Sequence, residues 1–309
     1  MLPPKTAVTV RCPGTIANLV CGFDVLGLCL HEPYDVMHVK LLGERKIIIN
    51  PTEGYDLPTD AENNTAGAPL LEMLEEIEGD IGFEITIEKH IKPGSGVGSS
   101  AASAAGAVVA ANHLLGNKFS KEDLVRFAMF GEKVASGVKH ADNIAPCIYG
   151  GVTLIRSIFP LDIISIAAPA MYVALVHPQI EVRTADARQI LRKEVLLKDA
   201  IRQWGNIAGL VAGLLQNDYE LIGRSLEDVI IEPVRSILIP GFNEVKKLCI
   251  KAGALGGGIS GSGPSIFMLC KEEATAKAVE VIMKEVYTRI GIDHHTYVTT
   301  INTTGIMVE

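Results

Sequence analysis

The residues best placed to do chemistry form one run, Pro93-Gly94-Ser95-Gly96-Val97-Gly98-Ser99-Ser100-Ala101-Ala102-Ser103. Glycine recurs at alternate positions, two hydroxyls follow, and small residues continue toward Leu115. Upstream, Phe83 to Glu88 alternates apolar and polar residues, the pattern of a strand. The glycines therefore join a strand to a helix that opens at the serines. Glycine permits positive φ and close backbone approach. A helix N-terminus adds unpaired N–H groups and the positive end of the dipole. The chemistry this predicts is phosphate binding, with Pro93, Gly94, Ser95, Gly96, Val97, Gly98, Ser99, Ser100 and Ala101 as the cradle. The structural alternative is a Gly-rich turn entering a capped helix. The unbroken small residues that follow favour the cradle, because a bulky ligand could lie against such a helix. No lysine follows Gly98, so the run is not a P-loop, and Ser99 stands where G-x-G-x-x-G needs its last glycine.

The elements that must position this loop are legible in outline. Residues 6–12 read as a strand and 34–50 as one or two more. Asp60 to Asn64 is helix-entry chemistry before Leu70, Leu71, Leu74 and Ile77, which share one helical face. Ser120 with Asp123 makes a capping box, and its helix runs from Lys121 to about Ala135. Apolar strand-like segments at Val152–Ile155 and Met171–Val176 flank a Pro-containing region. A domain change is expected between residues 156 and 170, drawn as 1–162 and 163–309. The second half reads strand, three helices, glycine loop, strand, helix and a last strand from Thr296 to Ile301. The mixture is α+β.

Composition narrows the function. A length of 309 residues suits two domains or one large one, at roughly 100–200 residues each. A 48% apolar content supports a sizeable core, and a net charge of −8 argues against nucleic acid or an anionic membrane as the main partner. The six cysteines show no C-x-x-C spacing, and several sit in apolar runs, as buried thiols in a reducing compartment would. The N-terminus, Met1 to Lys5, lacks a signal-peptide pattern, and no apolar run reaches the ~18 residues of a spanning helix. The expectation is a soluble cytoplasmic protein.

Gly96-Val97-Gly98-Ser99-Ser100-Ala101-Ala102 resembles the ATP loop of the GHMP small-molecule kinases. Val97 stands where that family carries leucine, and Pro93 lies one position late, with Lys92 in the usual place. Three further segments match in order. Thr15 to Leu28 resembles the family's first motif in its homoserine-kinase form, and Gly256 to Ser265 resembles its third. His140-Ala141-Asp142-Asn143-Ile144-Ala145-Pro146 is similar to a segment of the homoserine-kinase branch. Gly256 to Gly261 formally satisfies the dinucleotide fingerprint as well. A helical stretch precedes it and a strand follows, the reverse of what that fingerprint requires, so the dinucleotide reading is rejected.

The resemblance implies a two-domain GHMP kinase fold, with a ribosomal-protein-S5-like first domain and a ferredoxin-like second. It implies ATP and Mg2+, with Ser100 and Glu132 as magnesium contacts, and L-homoserine as acceptor. On the residues alone, Glu132 could equally be a solvated helix position. Asp24 sits in an apolar stretch where an unpaired charge is costly, and the resemblance gives it the substrate ammonium and Asn18 the hydroxyl. Both could instead cap turns. His140 and Asn143 are assigned to the substrate, with Asp142 orienting them. Arg188 and Arg235, with Arg183 nearby, suit a carboxylate and the charge on the transferred phosphoryl group. Asn18, Asn143, Arg188 and Arg235 are the catalytic set, without a dedicated base. Asn64 and Lys89 are expected to touch the nucleotide. A homodimer is compatible with the family.

Two other readings remain open. One is a GHMP kinase for mevalonate or a sugar, and the other is a non-catalytic ligand sensor. An RNA-binding module is disfavoured by the acidic balance and by the lack of a basic, aromatic-rich face.

Overall fold

The computed structural model describes residues 6–182 and 184–309. Arg183 and the N-terminal stretch Met1 to Lys5 lie outside the described residues. The chain opens with strands β1 (Ala7–Ala17), β2 (Leu26–Leu42) and β3 (Ile47–Ile49), then helix α1 (Gly67–Leu74) and strand β4 (Gly82–Glu88). Helices α2 (Ser99–Leu114), α3 (Lys121–Ser136) and α4 (Ile144–Tyr149) follow, and strands β5 (Val152–Ile158) and β6 (Leu161–Ile166) close this half. The second half runs β7 (Tyr172–Pro178), α5 (Thr184–Gln189), α6 (Leu197–Gln216), α7 (Tyr219–Ser225), α8 (Glu232–Arg235) and α9 (Phe242–Lys251). It continues with β8 (Gly256–Ile259), β9 (Ile266–Cys270), α10 (Glu273–Arg289), β10 (His294–Thr300) and β11 (Met307–Val308).

The first sheet follows the order β11-β1-β2-β4-β3, with β5 and β6 continuing from the N-terminal end of β2. The second sheet is fully antiparallel in the order β10-β7-β9-β8, which is the ferredoxin-like arrangement. The expected division at 162 falls inside β6, which pairs with β5 in the first sheet. The change of sheet therefore lies between Ile166 and Tyr172, and β11 returns the chain's end to β1. The connection between the sheets overlaps the expected window of residues 156–170.

Period-2 alternation explains how the halves share a core. In β7, Val173 and Leu175 pack into the same cluster as Leu26, Leu28 and Ile16 of the first sheet. Their neighbours Ala174 and Val176 face the other way, onto Phe242, Val245, Met283 and Tyr287 of α9 and α10. Burying each such large apolar side chain contributes about 1.5–3 kcal/mol. Helix α2 is buried on nearly every side, because alanine and serine let it lie against β1 and α3 together.

Local signals hold where they were strong. Ser120 Oγ accepts the Asp123 N–H at 3.2 Å, and Asp123 Oδ2 accepts the Ser120 N–H at 3.1 Å. The helix ends at Gly137 with φ 80°, as a left-handed C-terminal glycine should. Four elements escaped the pattern, α4, β6, β8 and β11, and five helices stand between β7 and β8 where three were expected. The glycines of β8 carry no strand signal, yet their backbone pairs with β9 along its length, and close packing there leaves no room for a side chain. A Cβ on Gly257 would lie 2.0 Å from the Phe267 carbonyl oxygen.

Candidate active site

The phosphate-loop glycines line a cavity of about 470 Å³ between the two sheets. Gly94, Gly96 and Gly98 adopt φ of 75°, 79° and 67°. Alternate residues consequently face opposite ways. Pro93, the three glycines, Ser99 and Ser100 line the cavity, whereas Ser95 and Val97 turn to the reverse of the loop. Ala101 is buried inside α2. Gly98 is the N-cap of α2 and brings no side chain to the first N–H groups, which leaves the helix's positive end for a ligand.

The third motif holds the loop from behind. Ser260 Oγ donates to the Gly96 carbonyl at 2.7 Å, and the Ser265 N–H reaches the Ser95 carbonyl at 3.3 Å. Its sequence neighbours form the β8–β9 hairpin, and no helix opens after it, consistent with rejecting the dinucleotide fingerprint. From the first motif, the Thr15 hydroxyl donates to Asn143 Oδ1 at 2.8 Å directly behind Gly98. A Cβ on Gly98 would stand 2.1 Å from Thr15 Oγ1 and 3.1 Å from Asn143 Oδ1. The loop, the first motif and the His140 segment thus meet at one point.

Asn18 begins a strained turn. Asn18, Leu19 and Val20 have φ of 72°, 40° and 66°, and Asp24 has 60°. Such values are unfavourable for residues with a Cβ, most of all for a branched one. The turn is held by Asn18, whose Nδ2 donates to the Gly261 carbonyl at 2.8 Å while its Oδ1 accepts the Asp24 N–H at 3.1 Å. Asn18 thus closes this turn and also lines the cavity wall.

Asp24 faces Arg188, whose Nη2 lies 2.7 and 3.0 Å from the two carboxylate oxygens. His140 Nδ1 is 3.2 Å from the same guanidinium nitrogen, and burial followed by the Arg188 charge pushes its pKa down. His140 Nε2 and Arg188 Nε are buried without a protein partner among the described residues. Arg235 is buried, donating through Nε to the Ala187 carbonyl at 3.0 Å and through Nη1 to Gly261 at 3.2 Å. Burial, with the Arg188 charge second, lowers its pKa to about 10. Phe23, which no motif argument singled out, lies against both guanidinium groups, 5.4 and 4.9 Å from its ring centre. A signal for it was present: it is the one aromatic in the first motif.

Glu132 sits on α3 with its Oε1 accepting the Ser100 hydroxyl at 2.6 Å. Burial raises its pKa, and the Ser100 hydrogen bond opposes that rise. A buried carboxylate with one hydroxyl partner is an anion short of positive charge, the donor set a hard cation such as Mg2+ fits. Asp142 is 4% exposed, and burial together with the charges of Asp24 and Glu132 pushes its pKa to about 7. Asp24, His140 and Asp142 bring ligand atoms within 4.8 Å of one another, but Arg188 already supplies the positive charge there.

The two residues expected to touch the nucleotide from outside the loop, Asn64 and Lys89, are both held by protein partners. The Asn64 amide closes its own turn: Oδ1 accepts the N–H groups of Ala66 and Gly67, Nδ2 donates to the Pro58 carbonyl, and the side chain is absent from the cavity wall. Its neighbour Thr65 lines the cavity instead. Lys89 reaches the wall, but its ammonium is fully engaged, by Asp35, by the Ser99 carbonyl at 2.9 Å and by Ser103 Oγ at 3.0 Å. Asp35 in turn accepts the His90 and Ile91 N–H groups, both at 2.8 Å. This pair is almost wholly buried, so removing one partner would cost about 3–5 kcal/mol. Lys89 anchors the entry to the loop.

Comparison with known proteins agrees with this geometry. Residues 64–151 match the model of the GHMP kinases N terminal domain, and residues 210–289 match that of the GHMP kinases C terminal. The chain belongs to the GHMP kinase family, a class of ATP-dependent small-molecule kinases. Within it, the chain is 48% identical over 297 residues to a homoserine kinase of Chloroherpeton thalassium, covering 92% of this chain and 93% of that protein. It is 42% identical over 292 residues to one from Methanococcus maripaludis, covering 92% and 96%. The crystal structure of homoserine kinase from Cytophaga hutchinsonii superposes with a TM-score of 0.96 at 47% identity, covering 100% of this chain and 99% of that one. No described helix is long and apolar enough to cross a membrane.

Proposed function

We propose that the protein transfers the γ-phosphoryl group of ATP to the side-chain hydroxyl of L-homoserine, giving O-phospho-L-homoserine and ADP. The observation that carries this reading is the pairing of Asp24 with Arg188 beside the phosphate loop, in one cavity. An amino acid is a zwitterion, and this pair is its mirror image in charge. A bound substrate would place its ammonium against Asp24 and its carboxylate against Arg188, replacing one ion pair by two. Neither mevalonate nor a neutral sugar offers both charges.

The loop N–H groups and the N-terminus of α2 would hold the ATP phosphates. Ser100 and Glu132 would hold Mg2+, which neutralises phosphate charge when bound. Asn18 and Asn143 would position the acceptor hydroxyl. Asn143 is the better placed of the two, because Thr15 occupies its oxygen and leaves its Nδ2 for a ligand. Arg235, held rigidly by two carbonyls and backed by Phe23, would face the developing charge. Phosphoryl transfer through a loose transition state asks mainly for positioning and charge, so a strong base is not required. The six cysteines are free and buried, which suits a reducing cytoplasm.

The test is ADP release with Mg-ATP against L-homoserine, mevalonate, galactose, L-serine and L-threonine. Selective turnover of L-homoserine is expected. Turnover of mevalonate or galactose instead would overturn the substrate assignment, and binding of ATP without turnover of any acceptor would favour a sensor.

A further inference from the structure

The reverse of the phosphate loop forms the wall of a second cavity, of about 270 Å³. Ser95 and Val97 form part of its wall, the residues that alternate with the glycines of the nucleotide side. The remaining wall carries Tyr55, His90, Lys92, His177, His295 and Tyr297. No aspartate or glutamate lines it among the described residues, although the chain as a whole has a net charge of −8. A wall of imidazoles, phenols and one ammonium offers many donors and no competing carboxylate.

Hydrogen bonding fixes the orientation of one of these donors. Lys92 Nζ can only donate, and it lies 2.7 Å from Gln179 Oε1. That sets the Gln179 amide, so its Nε2 is the donor facing His177 Nδ1 at 3.1 Å. His177 must then accept at Nδ1 and carry its proton on Nε2. The His177 side chain is 5% exposed, and its Nε2–H has no protein partner among the described residues. Without a protein partner, this N–H is free to donate to an acceptor in the cavity that His177 lines. Burial, with the nearby Lys92 charge second, holds the His177 pKa down at about 4, so the ring is a neutral donor at ordinary pH.

We propose that this cavity is a second ligand site, taking a small, multiply charged oxyanion, and that occupancy alters nucleotide binding through the shared loop. The anion would accept from His177 Nε2–H, Lys92, His295 and the phenol of Tyr297. Any shift it imposes on Ser95 or Val97 moves Gly94, Gly96 and Gly98, since the residues alternate along one backbone.

Binding is measured by isothermal titration on the full chain with the nucleotide site saturated by Mg-ADP, using inorganic phosphate and, separately, citrate. This readout does not depend on the identity of the acceptor, so its failure is distinct from failure of the kinase reading. Saturable binding of either anion is expected, weakened at least tenfold in His295→Gln and Lys92→Gln. In the wild type, the bound anion should change the KM for ATP at least threefold. His295→Gln lies on an exposed strand position and guards against misfolding as an explanation. Absence of binding for both anions would overturn the proposal, as would binding that ADP abolishes or that both substitutions leave unchanged. Phosphate binding alone identifies a phosphate-type ligand, and citrate binding alone a polycarboxylate.

Discussion

Asp24 and Arg188, 164 positions apart, meet with Arg188 Nη2 2.7 Å from Asp24 Oδ1 at the rim of the phosphate-loop cavity. Each holds the other's charge in the ligand-free protein, and each is only partly screened by solvent, at 35% and 28% side-chain exposure. A zwitterionic acceptor exchanges this pair for two new ones. Asp24→Asn should therefore lower kcat/KM for L-homoserine about ten- to hundredfold, the worth of one charged hydrogen bond of roughly 1.5–3 kcal/mol. The KM for ATP should stay unchanged. Steady-state kinetics with each substrate varied in turn checks both parts.

Glu132 and Ser100 carry the metal assignment. Glu132→Gln keeps the hydrogen bond to Ser100 and removes the charge. Turnover is expected to fall at least a hundredfold and the Mg2+ concentration for half-maximal rate to rise. An unchanged Mg2+ titration would move the metal elsewhere.

Asp142 makes stability depend on pH. Its pKa rises from the ordinary aspartate value to about 7 in the folded protein, chiefly through burial. The unfolded chain releases this proton near pH 4, while the folded protein keeps it to about pH 7. Stability from this group is thus complete below about pH 4, is lost progressively up to about pH 7, and then stays flat. Asp142→Asn cannot ionise, so its stability relative to wild type should climb across that window and level off above it. Denaturant melts at pH 4, 5.5, 7 and 8.5 would show it, and a pH-independent difference would refute it.

Thr15 is a positioning residue for Asn143. Thr15→Val removes the donor behind the amide, and kcat should fall about tenfold with little change in the KM for ATP. Thr15→Ser should restore the rate, which a purely packing role would not predict.

Gly98→Ala asks for a Cβ where Thr15 Oγ1 would be 2.1 Å away, at a φ of 67°. The left-handed conformation alone costs about 1–2 kcal/mol. Weaker ATP binding by more than tenfold is expected, together with a lower melting temperature.

Much of this protein is determined by the sequence alone, wherever the signal is local. The loop's strand-turn-helix order, the capping box at Ser120 and the alternation of Phe83, Ile85 and Ile87 each follow from the preferences of neighbouring residues, and each appears in the structure. The motifs also marked Asn18, Asp24, Ser100, Glu132, His140, Asn143, Arg188 and Arg235, which the fold brings to one cavity. What the tertiary structure decided is which partner each polar group takes. Lys89 and Asn64 have suitable chemistry for a nucleotide, yet Asp35 and the Ala66–Gly67 backbone lie closer. Phe23 became part of the site only when two arginines from distant helices packed against it. The glycines of β8 became a strand because their backbone pairs with β9, whose Phe267 carbonyl leaves no room for a side chain at Gly257. Backbone preference acts over a few residues and can be read along the chain, whereas a buried charge or an open donor is matched by whatever packing brings within 3 Å of it.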